Sequence, residues 1–498
     1  MCISHNLDVN ICALDTLFAD CADVVSRKIY LVGGTQAAFL IYLDNLSSRD
    51  EIEMHIIRPL VLSLGGLGRL DGNVFEHVLN RALTTVDYSE KDSLGDCVNA
   101  LLMGDTLILV DGFSKGIVVS TKGWPGRGVQ SAENEVVLQG SKEAFTETLR
   151  TNSVLVRRRI RDTRLKLKQK VVGVRSRTDV GIMYMEGVVR EDILKELERR
   201  LELIEIDAIM DVGYIEQLLE DDWLSPFPQF QTTERPDKAA AAILEGRIVV
   251  LVDNSPLALI LPATLNTFMQ AAEDYYQGWQ IMSMVRLLRF VAAFMGLALP
   301  ALYISVAVYH PSMLPTLLIY KLAEARRDVP FPAALEVILM DFAFELLREA
   351  GVRLPGAIGG TIGIVGGLII GQAAVEAGLV SPIVVIIVAI TGLCTFVIPS
   401  FQLVNGLRVM KYVLIFFAAT LGIFGFWIGM LFVIIHLASL KSFGIPYMTP
   451  FVSVHIPDTQ DSVFRAPLFM LRNRPIFSNP THKVRQAARS TGKQHSRE

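Results

Sequence analysis

The sequence predicts a chain of mixed class: an N-terminal soluble α/β region built from two similar subdomains, followed by an all-α polytopic transmembrane domain. Three observations carry that expectation. Of 498 residues, 51% are hydrophobic and 20% charged, with mean hydropathy +0.41, too apolar for an ordinary soluble protein and too charged for a membrane protein throughout. The charge is segregated, because residues 1–286 hold most acids and bases while Leu287 to Leu440 is nearly all apolar. Finally, the first half repeats itself.

The repeat has an offset of 142: Ile41-Tyr42-Leu43-Asp44 resembles Met183-Tyr184-Met185-Glu186, Gly104 matches Gly246, and Leu109-Val110-Asp111 matches Leu251-Val252-Asp253. Repetition at a fixed period marks a duplicated structural unit. In each copy a β-rich run ends at an acidic residue, a helical stretch such as Arg190 to Leu203 follows, and a second apolar strand ends in a turn. Turn chemistry explains a duplicated acid at a strand end; ligand binding is the alternative. Between the copies, RRRIRDTRLKLKQK (157–170) sets eight basic residues against Asp162. A solvated helix or linker face is the simpler reading and contact with anionic lipid the other, while the lack of interleaved aromatics argues against nucleic acid as a partner. Downstream, Pro236 suits a helix start, Ala239 to Leu244 favour a helix, and Gly246 ends it.

The chain then approaches a bilayer through NTFMQAAEDYYQGWQ, in which Tyr275, Tyr276 and Trp279 suit the headgroup region. Four apolar runs follow, Leu287 to Tyr309 (apart from Arg289), 356–375, Leu379 to Val404 and Tyr412 to Leu440, each long enough to cross about 30 Å of hydrocarbon. A fifth helix over 331–355 sets Asp341, Glu345, Arg348 and Glu349 opposite Leu335, Ile338, Leu339, Phe342 and Leu346, a pattern for an interface or a watery cavity. The expected boundaries are 1–130 for soluble subdomain 1, 131–180 for a basic connecting helical segment, and 181–284 for subdomain 2 with an interfacial helix. The transmembrane domain is expected over 285–440 and a basic C-terminal cytoplasmic tail over 441–498. From Arg465 to Glu498 the tail has eight Lys or Arg and one acid, which favours the cytoplasm. The start, MCISHNLDVNICALDTLF, lacks a basic stretch before an apolar one, so the soluble part is expected there too. Both ends on one side require an even number of crossings. Four spans leave Arg408 and Lys411 on the wrong side, and a fifth puts the tail there.

Residues 358–375, IGGTIGIVGGLIIGQAAV, hold six glycines. At 100° per residue, Gly359, Gly363, Gly367 and Gly371 advance about 40° per step, and Gly360 and Gly366 fall beside them, within an arc of about 140°. Helix association in lipid relies on close backbone approach, so this ridge is a packing face. Thr361 and Gln372 lie on the opposite side, with Val365 and Leu368 between them. That face either lines a water-filled pore, or Thr361 bonds its own backbone and Gln372 a neighbour.

Catalysis has little to work with. GxxxxGK[ST], HExxH and GxSxG do not occur, and His310 and His436 stand alone. Cys2, Cys12, Cys21, Cys97 and Cys394 form no CxxC or CxH spacing, so neither a disulfide framework nor a metal site is expected. No cofactor and no catalytic residue are expected.

Several long motifs carry a resemblance: TTERPD (232–237), EGRIVVLVDNSPLALILP (245–262), AEDYY (272–276), VPFPAALE (329–336), FELLREAGVRLP (344–355), IGIVGGLIIGQAAV (362–375), GLVSP (378–382) and SFGIPYMTPF (442–451). The region from about Leu102 to Pro475 resembles the A subunit of GerA-type spore germination receptors (the GerA/SpoVAF family). SAENEVVLQGSK, at 131–142, stands where the family more usually has a run with proline and arginine. The resemblance implies an integral protein of the spore inner membrane that works with B and C subunits to sense nutrients. It also implies a homo-oligomeric ring, pentameric by family expectation, that conducts monovalent cations, with the nutrient pocket mainly in the B partner. Thr361, Val365, Leu368 and Gln372 are then candidates to line the pore, and Asp341 and Glu345 to form an acidic vestibule unless they pair with Arg348 and other groups. An accessory scaffold similar to the SpoVAF paralogues, and a small-solute or ion transporter with broken helices near Pro382 and Pro399, remain alternatives.

Overall fold

The computed structural model describes residues 2–31, 36–64, 74–79, 83–84, 87–124, 135, 137, 139–353, 357–452, 459–475 and 482–485, with only the backbone described for 63–64, 352–353, 357–365 and 368. Two compact units are formed, one from Met1–Glu220, Phe230–Pro262 and Arg472–Glu498, the other from Asp221–Gln229 and Ala263–Leu471.

The first unit contains two five-stranded antiparallel sheets of identical topology. Strands β1 (Val24–Leu31), β2 (Gln36–Leu43), β3 (Tyr88–Lys91), β4 (Thr106–Val110) and β5 (Gly116–Val119) run in the order β1-β2-β4-β5-β3. Strands β6 (Leu165–Val172), β7 (Thr178–Met185), β8 (Gln231–Thr233), β9 (Ile248–Val252) and β10 (Ala258–Leu261) run in the order β6-β7-β9-β10-β8. The central strands β4 and β9 are buried at every residue, which suits their β-branched and leucine-rich composition. The 142-residue offset extends to the helices: α1 (Leu7–Leu17) pairs with α3 (Leu149–Arg157), and α2 (Leu94–Leu102) with α5 (Pro236–Leu244). Helix α4 (Glu191–Glu202) buries Ile193, Leu194, Leu197 and Leu201 on one face, with acids in its first turn and Arg199 and Arg200 in its last, as the helix dipole favours.

The repeated acids serve backbone chemistry. Asp111 Oδ1 accepts from Leu7 N at 3.2 Å and Asp253 Oδ1 from Leu149 N at 3.0 Å, each satisfying a free N–H at a helix start. Asp44 ion-pairs with Arg49 and Arg150, and Glu186 with Lys166. Gly104 and Gly246 sit at φ 95° and 91°, and a Cβ on Gly104 would lie 2.9 Å from Leu46 O, so glycine is required there.

The stretch expected to be a basic connecting helix, 131–180, instead carries α3, β6 and the start of β7. Most of its charges are paired within the unit. Arg157, 2% exposed, donates to Asp23, and Glu143 is bound by Arg158 and Arg159. Arg164 pairs with Asp162, Lys168 with Glu198 and Lys170 with Glu202. Alternation of basic and apolar residues over Leu165–Val172 is a strand pattern of period two, which the density of charge obscured. The atypical segment at 131–142 is also engaged: Glu135 accepts from Thr233 and Lys238, and Ser141 O from Arg235.

The second unit is helical, with α6 (Trp279–Ile304) continued by a π-turn over Ser305–Tyr309, then α7 (Thr316–Ala325), α8 (Ala333–Arg353), α9 (Ala357–Glu376), α10 (Pro382–Val397) and α11 (Phe401–Ser439). Helix α6 packs along α10 and α11, and α8 along α9 and α10. Ala293, Leu297 and Ala301 of α6, Val384 and Val388 of α10, and Leu403, Leu414, Ala418 and Val433 of α11 form its core. Trp279–Tyr309 and Phe401–Ser439, of 31 and 39 residues, are long and apolar enough to cross a membrane. The expected run Leu379 to Val404 is divided between the 16-residue α10 and the start of α11.

Helix α11 is not straight. Gly422 has φ 62° and ψ −138°, outside any helical conformation. Phe227 lies against both Gly406, where a Cβ would sit 3.0 Å from its ring, and His436, at 5.9 Å between ring centroids. In a straight helix residues 406 and 436 would be about 45 Å apart. A Cβ on Gly429 would likewise lie 3.4 Å from Phe417 Cβ and 3.6 Å from Leu414 Cγ. Residues 401–421 and 423–439 are therefore two antiparallel arms closed at Gly422, with Gly425 and Gly429 permitting the close approach. Tyr309 and Ser305 from the π-turn cap this bend, the Tyr309 hydroxyl donating to Ala419 O and Ser305 Oγ to Gly422 O at 3.2 Å. Of the two prolines offered as sites of broken helices, Pro382 opens α10, and Pro399 stands in the break between α10 and α11.

Candidate functional site

Helix α8 buries Ala333, Val337 and Met340 on its inner side but differs from a helix of a soluble core in its charges and its outer face. Leu335, Ile338, Leu339, Phe342 and Leu346 are exposed, whereas Glu336 and Asp341 are buried and Glu345 and Arg348 half-buried. An apolar outer face suits hydrocarbon, and buried ions require partners. Asp341 Oδ1 accepts from Lys411 Nζ at 2.6 Å, both side chains almost fully buried. One turn on, Glu345 pairs with Arg348 at 2.6 Å and Arg408 at 2.8 Å. One turn back, Glu336, 0% exposed, binds Arg326 at 3.2 Å and accepts from Ser381 N at 3.0 Å, which fixes the start of α10. Asp341 is eight residues into α8 and Lys411 ten into α11, so this pair is at least about 12 Å from either helix's ends.

The sequence singled out Asp341 and Glu345, and the structure gives both their own cations. It did not single out Lys411 and Arg408 as partners. In the sequence they stand only as charges that a four-span reading leaves on the wrong side of the bilayer. The usable signal was the i, i+3 spacing of Arg408 and Lys411 facing the i, i+4 spacing of Asp341 and Glu345.

A second buried network ties the start of α6 to the segment after α11. Asp274, 0% exposed, binds Arg286 at 2.7 Å and Arg289 at 2.8 Å, and Arg286 also binds Asp461 at 2.7 Å. Tyr275 OH donates to Asp461 at 2.7 Å, and the Arg286 and Arg465 guanidinium groups lie 5.4 and 5.3 Å from its ring centroid. Tyr276 and Trp279 are exposed, as headgroup residues would be, while Tyr275 belongs to this cluster.

On α9, the glycine side faces protein where it is described. A Cβ on Gly366 would lie 2.7 Å from Leu347, on Gly371 3.2 Å from Val385, and on Gly367 3.8 Å from Phe344. Gln372 is exposed, and its Nε2 donates to Glu376 at 2.9 Å. Thr361, Val365 and Leu368, with the surroundings of Gly359 and Gly363, lie outside the residues whose side chains are described.

The family model of the Bacillus/Clostridium GerA spore germination protein matches residues 13–477. The chain is similar to the uncharacterized membrane protein YfkQ of Bacillus subtilis, with 39% identity covering 95% of this chain and 91% of that one. It is also similar to spore germination protein GerLA of Bacillus cereus, with 36% identity covering 91% of this chain and 92% of that one. Among solved structures, the N-terminal domain of the A subunit of the Bacillus megaterium spore germinant receptor GerK3 matches at 32% identity, covering 53% of this chain and 98% of that one, with a TM-score of 0.42.

Proposed function

The chain belongs to the Bacillus/Clostridium GerA spore germination protein family, and from that premise we propose that it is the A subunit of a nutrient germinant receptor in the spore inner membrane. In this reading it forms a homo-oligomer that works with B and C subunits and passes monovalent cations when nutrient is sensed. The observation that carries the reading is likeness over nearly the whole chain to a protein named for spore germination, and the apolar helices of the second unit are consistent with a membrane setting.

The path of the chain supports both ends lying on one side. It leaves the first unit at Pro262 and rejoins it at Arg472, where Arg474 Nε donates to Leu244 O at 2.7 Å. An even number of crossings must lie between. Helices α6, α8, α9 and α10 with the two arms of α11 make six, an even count that neither four nor five continuous spans could reconcile with the charges. We place the cytoplasm on the side of the first unit, following the basic tail. Thr361, Val365, Leu368 and Gln372 remain our candidates for the pore face of α9, opposite its packed glycine side. The role is non-catalytic, and nucleotide turnover by the purified chain would count against it.

Deletion of the gene tests the reading. Spores lacking it should lose potassium release and germination on at least one nutrient, with rescue by the intact chain, whereas unaltered responses to a broad nutrient panel would reject it.

A further inference from the structure

We propose that the ion pairs Asp341–Lys411 and Glu345–Arg408 form the latch that holds the helical unit closed, with Lys411 a tethered counter-ion for Asp341; the conductance this controls rests on the channel reading above. Four observations converge on this. The outer face of α8 is apolar and exposed, and on its inner face Val337 and Met340 pack in the core while Asp341 and Glu345 pair with cations of α11. Asp341 and Lys411 are each 4% exposed, and among the described residues Asp341 Oδ2 has no well-formed hydrogen bond, with the Tyr412 hydroxyl the polar group beside the carboxylate, so the carboxylate is incompletely satisfied in this arrangement. Beside the pair lies a cavity of about 10 Å³, lined by Gly296, Thr395, Val404, Leu407, Arg408 and Lys411, room for about one water. Arg408 and Lys411, both cationic, stand in the wall of that cavity and repel a cation from it.

A buried ion pair is well suited to a switch. Together the two ions recover by attraction roughly what they lost in hydration; apart, each regains water. The two arrangements then differ little in free energy, and a modest differential contact elsewhere can move the balance. Separation of α8 from α11 would hydrate the cavity and expose two carboxylates to passing cations. A neutral apolar pair has nothing to gain from hydration and favours the closed arrangement alone.

The test uses the receptor complex in vesicles, with the natural cysteines replaced by serine and Thr395→Cys as reporter in the cavity wall. Two readouts are taken: the rate of modification by a water-soluble methanethiosulfonate and the resting potassium leak. With Lys411→Met, which strands Asp341, both should rise at least ten-fold. With Asp341→Leu and Lys411→Met together, modification should fall several-fold below the unsubstituted rate, and the exchange Asp341→Lys with Lys411→Asp should return both readouts toward it. Folded Lys411→Met complex labelled no faster than the parent overturns the latch. So does the neutral double variant labelled at the parent rate, which decides the matter if Lys411→Met does not fold. Faster labelling without added leak upholds the latch and refutes the channel reading.

Discussion

Replacing Gly422 with alanine attacks the bend on which the six-crossing path depends. At φ 62° and ψ −138° the backbone lies in a region essentially reserved for glycine, and another residue there costs about 1–3 kcal/mol. The new Cβ would also sit 2.7 Å from Tyr309 Cγ and 2.8 Å from its Cβ. That ring is held by the bond from its hydroxyl to Ala419 O, so relief requires moving the π-turn, an overpacking cost of about 1–3 kcal/mol. The two terms together give about 2–6 kcal/mol. Thermal unfolding of the full chain in detergent, followed by tryptophan fluorescence, measures the loss as a fall in midpoint. Gly422→Ala within about 0.5 kcal/mol of the parent, the range of an inconsequential surface change, would show that the backbone there is not bent as described.

Three further expectations follow from the same structure. Single cysteines at Pro399→Cys and Lys441→Cys should react with an impermeant maleimide from the same side of sealed vesicles, and Met313→Cys from the other; labelling of 399 and 441 from opposite sides would make α11 one continuous span. In the α/β unit, Arg157→Ala strands the buried Asp23 carboxylate and should cost about 3–5 kcal/mol in chemical denaturation, whereas Arg157→Met with Asp23→Leu should recover most of it. Acid should destabilise that unit. The Glu143 carboxyl, raised by burial but lowered further by Arg159 and Arg158, ends below its ordinary value, and bonds from Arg199 and Arg200 hold Glu196 at about 2. Groups depressed in the folded state stabilise it above their unfolded values and lose that contribution as pH falls through the folded ones. Stability should therefore fall from about pH 4.5 downward, and Glu143→Gln should flatten that slope.

The duplicated α/β fold was legible because a repeat needs no knowledge of contacts: three matches at 142 residues reappear as strands, turns and helix starts at the same offset. Segment 157–170 misled because eight basic residues suggested a solvated run, and their acids lie as far away as Asp23 and Glu202. Gly422 was invisible for a related reason. A glycine within an apolar run reads as a packing residue, and only contacts such as Phe227 with both Gly406 and His436 reveal that the chain doubles back. In the helical unit the acids of α8 were found from their periodicity, but their partners on α11, about seventy residues on, could not be assigned from local pattern.

The most direct measurement is single-channel recording of the assembled receptor complex carrying Leu368→Cys and Cys394→Ser, before and after a water-soluble thiol reagent. We expect cation-selective openings that the reagent blocks, which would place this face of α9 in a conducting pore. Openings that persist with the thiol unmodified would move the pore elsewhere, and a folded complex with no conductance at all would contradict the channel role itself.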